Sequence, residues 1–281
     1  MNRDIWVIIF DNDEEIFLLR KQIESLIKVN NSLSYNIIIN EFNTYSTRKK
    51  LKRSGIISLL KLANFKTKIY DMCDIVDIEF LHQSQGYINQ QILKLQVHTQ
   101  SNCNEHMILD AKNIITSRYI LDTFSPSRHT PPNTFFGCYE YCIQKWHNGK
   151  LINVRPFETP YLFKRYILEA MQGSFQSKNK YFRALRSKYE TKQKPFKLLN
   201  KKTKNKVACI SEFYMYNIFE QRYDRNYTEY LGPAAKINWI FNENFLIDTD
   251  VDIVNLHRKT VEVIGTTKSE EIINSIIYSS K

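Results

Sequence analysis

Residues 86–113 read GYINQQILKLQVHTQSNCNEHMILDAKN, and the fold class turns on them. The stretch predicts an amphipathic helix, a polar turn and a short apolar strand (Met107, Ile108, Leu109) that ends on Asp110, with Asn113 close behind. A carboxylate at the carboxyl end of a buried strand is where open α/β sheets bind ligands. Gly86, Gln90 and Lys94 follow one another at steps of four, so the helix carries them along one face. A helix built only for packing would turn such a run to solvent. Two readings therefore stand together: a ligand site at the strand end, or a polar stripe beside an ordinary strand.

Toward the N-terminus, residues 4–10 (DIWVIIF) form a continuous apolar run with β-branched members, the pattern of a strand buried on both faces. Asp11-Asn12-Asp13 follows, and Asp13 is placed to cap a helix marked by Ile16, Leu19, Ile23, Leu26 and Ile27. Residues 35–39 (YNIII) predict a second strand with Glu41 just beyond it, 55–62 a second helix, and 68–70 a short third strand. Asp71, Asp74, Asp77 and Glu79 make an acidic loop or frayed helix. This alternation predicts an α/β, Rossmann-type, mostly parallel sheet flanked by helices. In such a sheet Asp11 and Asp110 share one edge and face a common crevice.

Toward the C-terminus, residues 118–132 are turn-rich and contain Pro126, Pro131 and Pro132. A helix is predicted over 161–171, from Tyr161, Leu162, Tyr166, Ile167 and Ala170, with its stop at Gly173. Ser211-Glu212-Phe213 opens another helix. Ser211 suits an N-cap, and helix electrostatics alone accounts for a carboxylate at Glu212. Asp248-Thr249-Asp250 has the D-x-D form that binds divalent ions. His257 precedes a C-terminal helix over 269–277.

The net charge of +11 is concentrated: residues 176–206 hold twelve Lys or Arg and one acid, so the remainder is formally neutral. Such a block reads either as a solvated face or as a contact for something anionic, with an anionic membrane leaflet ahead of nucleic acid. No reader motif for DNA or RNA accompanies it. Seven glycines and seven prolines in 281 residues argue against a turn-rich β-sandwich. No run of ~18 apolar residues predicts a membrane span, and the N-terminal apolar stretch is too short for a signal peptide. Five cysteines (Cys73, Cys103, Cys138, Cys142, Cys209) lack C-x-x-C spacing and point to a reduced, cytoplasmic setting. Cys138 and Cys142 with His129 and His147 are a candidate metal grouping, for which ordinary semi-buried cysteines are the simpler explanation.

Gly86-Tyr87 with Gln90-Gln91 and Lys94-Leu95, followed by Ile108-Leu109-Asp110-Ala111-Lys112-Asn113, resembles the core signature of a bacterial glycosyltransferase-like family. It is the domain-of-unknown-function family numbered 6492, related to nucleotide-sugar transferases of the GT-A fold. Ser211-Glu212-Phe213 with Tyr216 resembles its second motif, and the resemblance spans about residues 5–256.

The resemblance implies a GT-A-like sheet with a helical, basic C-terminal part: residues 1–125 as the nucleotide-sugar-binding half, and 126–281 as the acceptor-side half of the same domain. It implies sugar transfer to a hydroxyl of a glycan or lipid-linked acceptor, in surface polysaccharide or lipopolysaccharide synthesis. The location implied is cytoplasmic, peripheral on the inner leaflet through 176–206. Donor-binding residues would be Asp11, Gly86, Gln90, Gln91, Lys94, Asp110, Lys112, Asn113 and His257, with Glu212 as the catalytic base. The family pattern holds a divalent cation, Mn²⁺ or Mg²⁺, on an aspartate pair to offset diphosphate charge. Here the second aspartate is missing and Ala111-Lys112-Asn113 stands in its place. Two alternatives follow: Asp110 and Asn113 hold the metal, or Lys112 replaces its charge. A non-catalytic GT-A-like binding module and, behind it, a nucleic-acid-associated enzyme are the competing classes.

Overall fold

The computed structural model describes residues 3–29, 33–117, 160–175, 177–182, 237–240 and 251–279, with Leu121, Tyr216, Phe219, Glu220 and Tyr223. In chain order its strands are β1 (Arg3–Ile9), β2 (Ser34–Ile39), β3 (Lys66–Asp71), β4 (Glu105–Leu109), β5 (Asn113–Ile115), β6 (Tyr161–Lys164), β7 (Ile237–Ile240) and β8 (Ile253–Leu256). The helices are α1 (Asp13–Val29), α2 (Tyr45–Arg53), α3 (Ile56–Leu62), α4 (Met72–Ile75), α5 (Gly86–Lys94), α6 (Arg165–Gly173) and α7 (Arg258–Ser279).

The central sheet runs β3-β2-β1-β4-β6, parallel except for β6, which pairs antiparallel with β4 through Met107↔Leu162 and Ile108↔Tyr161. Alternation along β1 explains the layering. Ile5, Val7 and Ile9 face one core, shared with Leu19 and Ile23 of α1 and Ile56 of α3. Trp6 and Ile8 face the other, shared with Ile88 and Ile92 of α5 and Ile167 of α6. Strands buried on both faces need no polar alternation, which is why the apolar runs were visible in sequence. The fold is the expected α/β class: a mostly parallel sheet flanked by helices.

β1 has β2 on one side and β4 on the other, so sheet growth reverses between β1 and β4. A crevice opens outside the carboxyl ends of strands at such a switch point. The second, smaller sheet runs β5-β8-β7 and begins three residues after Asp110, so the turn 110–113 joins the two sheets.

Some expectations need correction. The helix expected over 161–171 begins as β6, because Tyr161 and Leu162 extend the sheet beside β4; only Arg165–Gly173 is helical. The C-terminal helix starts at Arg258, well before residue 269, and is broken at Gly265. At φ 82° and ψ 161°, Gly265 adopts a conformation that a side chain would strain. The acidic segment after β3 contains the short α4, where Asp74 accepts the Asp71 N–H at 2.8 Å. Among the described residues no helix is long and apolar enough to cross a membrane.

Candidate active site

The turn that follows β4 is held at several points. Asn113 N–H donates to the Asp110 carbonyl at 2.9 Å, closing the turn, and Asn113 Oδ1 accepts the Asp110 N–H at 2.6 Å. From α1, Gln22 Nε2 donates to both the Asp110 and Asn113 carbonyls at 2.8 Å. Gln22 is itself fixed, since its Oε1 accepts from Tyr35 OH at 2.6 Å. Asn113 Nδ2 donates to Asn255 Oδ1 across the β5–β8 pair. Every one of these polar groups is buried or partly buried, where an unmade hydrogen bond is costly.

On that turn Asp110 meets two cations. Lys94 Nζ, from the last residue of α5, lies 3.4 Å from Oδ1, and Lys112 Nζ lies 3.4 Å from Oδ2. Lys94 is only 4% exposed, so the polar face of α5 turns inward at this end. Gln91 is buried as well, while Gln90 is partly buried.

A cleft of about 480 Å³ opens beside the ends of β1 and β2, lined by Phe10, Asn40, Glu41, His82, Gly86 and Arg258 among others. Gly86 allows α5 to start here. A Cβ on it would lie 2.7 Å from Phe10 Cε1, closer than carbon atoms pack. Asn40, 2% exposed, donates from Nδ2 to the Gly86 carbonyl at 2.7 Å. Its Oδ1 is buried with no hydrogen-bond partner among the described residues. Tyr87 is 55% exposed.

Asp11 sits just past β1. Its N–H donates to Glu41 Oε1 at 3.1 Å, and its Oδ1 is 2.8 Å from Lys50 Nζ on α2. The hydrogen bond from Lys50 holds the Asp11 carboxyl below the usual range, against partial desolvation. His257 lies between β8 and α7, where its N–H donates to the Ile240 carbonyl at 3.2 Å. Burial, then the charge of Lys112, lowers its pKa, so His257 is held toward its neutral form. The Leu256 N–H donates to the Lys112 carbonyl at 3.2 Å, which brings the backbone next to His257 against that of Lys112.

The residues expected in a site thus fall into two groups. Lys94, Asp110, Lys112 and His257 gather around the turn after β4. Asp11 and Gly86 border the cleft ends of β1 and α5. Asn113 is fully buried and braces the turn. Glu212 lies outside the described residues, as do Asp248, Asp250 and the Cys138, Cys142, His129, His147 grouping. Of its motif only Tyr216 is described: it is buried, and its hydroxyl accepts the Lys164 N–H at 2.7 Å. Of the block 176–206, residues 177–182 are described. Lys178 pairs with Asp77 at 2.8 Å, and Tyr181 and Phe182 are buried.

Three further residues belong to the site and were not singled out. Glu15, in the first turn of α1, has a pKa raised to about 8, first by burial and then by the negative charge of Asp110. Arg258 opposes that shift electrostatically and lines the cleft. Asn40 is the third. The rule that selected Asp110, a polar residue at a strand's carboxyl end, selects Asn40 equally. Glu15 was hidden because acids in a first helical turn have an ordinary explanation.

No protein-family model matches the chain, and no curated protein matches it. Solved structures are similar to it. The bifunctional glycosyltransferase WbbM, in its apo structure, aligns over 99% of this chain and 51% of its own, at 12% identity and a TM-score of 0.53. The galactosyltransferase LgtC, in complex with donor and acceptor sugar analogues, aligns over 97% of this chain and 95% of its own, at 11% identity and a TM-score of 0.45. The glycosyltransferase GlyE of Streptococcus pneumoniae TIGR4 aligns over 99% and 64%, at 10% identity and a TM-score of 0.42. This chain therefore spans about half the length of WbbM, with which it shares an α/β fold, a mostly parallel sheet flanked by helices.

Proposed function

We propose that this chain is a glycosyltransferase that moves a sugar from a nucleotide-sugar donor to a hydroxyl acceptor. The observation that carries this reading is the meeting of Lys94, Asp110 and Lys112 at the carboxyl end of β4, the strand next to β1, whose own end borders the cleft. Aromatic walls at Phe10 and Tyr87, with polar groups at Asn40 and Glu41, suit a nucleoside. Ammonium groups at the adjoining strand end suit its diphosphate.

In the transfer step the acceptor oxygen bonds to the anomeric carbon as that carbon's bond to the diphosphate breaks. The nucleoside diphosphate leaves, and the hydroxyl proton passes to a carboxylate base. Glu212 is the proposed base, on its motif match alone. The two motif patches also support membership of the family numbered 6492. With it come a glycan or lipid-linked acceptor in surface polysaccharide or lipopolysaccharide synthesis, a cytoplasmic location, and docking to an anionic inner leaflet through 176–206.

A thermal-shift screen of UDP-, GDP-, CMP- and dTDP-sugars tests the donor directly. One nucleotide class should raise the melting temperature by an amount that grows with the logarithm of its concentration above Kd; no shift with any of them refutes the reading. A binding module without catalysis is the second reading, motivated by the missing second aspartate. A wild type that turns donor over and is silenced by Glu212→Gln excludes it.

A further inference from the structure

Residues 42–70 contain eight Lys or Arg and no Asp or Glu, and five of the eight fall on α2. Tyr45, Arg48, Lys49, Lys52 and Arg53 follow at i, i+3, i+4, i+7 and i+8, so they share one face of that helix. All five are exposed, while the opposite face buries Thr47 and Leu51. Like charges four residues apart, at Arg48 with Lys52 and at Lys49 with Arg53, repel and cost the helix stability. A face built only for solvation would place acids at that spacing. The helix dipole favours Lys52 and Arg53 in the last turn, but it does not reward Arg48 and Lys49 before it.

Ion pairs fix where this helix lies. Lys50 Nζ is 2.8 Å from Asp11 Oδ1 and 2.7 Å from Asp13 Oδ1, and Arg48 Nη2 is 2.6 Å from Asp71 Oδ1. Asp11 follows β1 and Asp71 ends β3, so α2 is tied to the carboxyl edge of the sheet, where the cleft opens. Phe42, just before α2, lines the cleft and is 43% exposed, and Tyr45 is 74% exposed.

We propose that the outer face of α2 docks this chain on an anionic lipid surface, with the cleft held close to that surface. Lys49, Lys52 and Arg53 meet the lipid phosphates, an attraction that acts within about a Debye length, ~10 Å at 0.1 M salt. Tyr45 and Phe42 enter the headgroup layer, the Tyr45 ring with its hydroxyl toward water. A nucleic-acid duplex offers phosphates without an apolar layer for these rings. The surface is separate from the block 176–206, and the docking is independent of the donor reading.

Co-sedimentation of the full chain with vesicles tests this, using phosphatidylcholine alone and an equal mixture of phosphatidylcholine and phosphatidylglycerol. Wild type should sediment with the mixed vesicles and not with the neutral ones. The triple variant Lys49→Gln, Lys52→Gln, Arg53→Gln should partition about a hundredfold more weakly. It changes only exposed side chains, so its melting temperature should match wild type. Lys49→Arg with Lys52→Arg keeps the charge and should keep the binding. Equal binding to both vesicles, or binding to neither, overturns the proposal. So does a triple variant that binds like wild type, which would place the contact elsewhere in the chain. Stronger binding to a duplex or single-stranded oligonucleotide, at equal phosphate concentration, overturns it as well. Sugar-nucleotide turnover is read separately: its absence defeats the transferase reading and leaves the docking standing.

Discussion

Asn40 ties the end of β2 to the start of α5: its Nδ2 donates to the Gly86 carbonyl at 2.7 Å. The bond places a backbone-level contact at the cleft's edge, and it exists because Gly86 lets α5 approach Phe10 without a Cβ between them.

Gly86→Ala should therefore damage the cleft more than the fold. The new methyl would sit 2.7 Å from Phe10 Cε1, so the ring, which lines the cleft, must shift. Overpacking of this kind costs about 1–3 kcal/mol. Chemical denaturation should detect that loss, and nucleotide affinity should fall by a larger proportion than stability does.

Gln22→Leu should be strongly destabilising although both side chains have similar size. It removes the donor to the Asp110 and Asn113 carbonyls and leaves the Tyr35 hydroxyl without its acceptor. Orphaned buried groups of this kind cost on the order of 2 kcal/mol or more in total. Urea unfolding measures it, and a change below a few tenths would show that the turn does not depend on α1.

Glu15 predicts a pH dependence on the alkaline side. Its folded pKa is raised from 4.5 to about 8, by burial first and Asp110 second. The folded state then holds a proton that the unfolded state has lost. Stability from this group is complete below about 4.5 and declines as pH rises through about 8. Glu15→Gln should raise the melting temperature at pH 8.5 and change it little at pH 4.5. An equal effect at both values would contradict this assignment.

His98 predicts the opposite flank. Burial, then the nearby charge of His106, lowers its pKa from 6.5 to about 4. Its neutral form is the folded one, so stability is lost as pH falls from about 6.5 through about 4. His98→Gln should flatten the melting-temperature profile over that interval and leave the profile above pH 7 unchanged.

The sheet was legible because β1, β2 and β4 are apolar on both faces and each ends at an acid or amide. The strand β6 was not, because Tyr161 and Leu162 fall at helical spacing with Tyr166 and Ile167. Only pairing with Met107 and Ile108, more than fifty residues earlier in the chain, makes them a strand. The helix α2 has no apolar stripe to see: its buried residues are Thr47 and Leu51. In the site, Asp110 and Lys94 were readable from strand-end position and helical spacing. The fate of Asn113 was not, since it is settled by Asn255, 142 residues away. Gln22 did leave a trace, as a polar residue between Leu19 and Leu26 on the apolar stripe of α1. A formally neutral remainder also concealed local segregation, for α2 alone carries Arg48, Lys49, Lys50, Lys52 and Arg53 without an acid.

Release of the free nucleotide (UDP, GDP, dTDP or CMP) from a sugar nucleotide, followed by chromatography with wild type and Glu212→Gln side by side, tests the central claim most directly. The wild-type chain should convert the sugar nucleotide that stabilises it in the thermal-shift screen. Glu212→Gln should still bind that donor but convert it on the order of a hundredfold more slowly. A wild-type chain that neither binds nor converts any of the four sugar-nucleotide classes would contradict the claim.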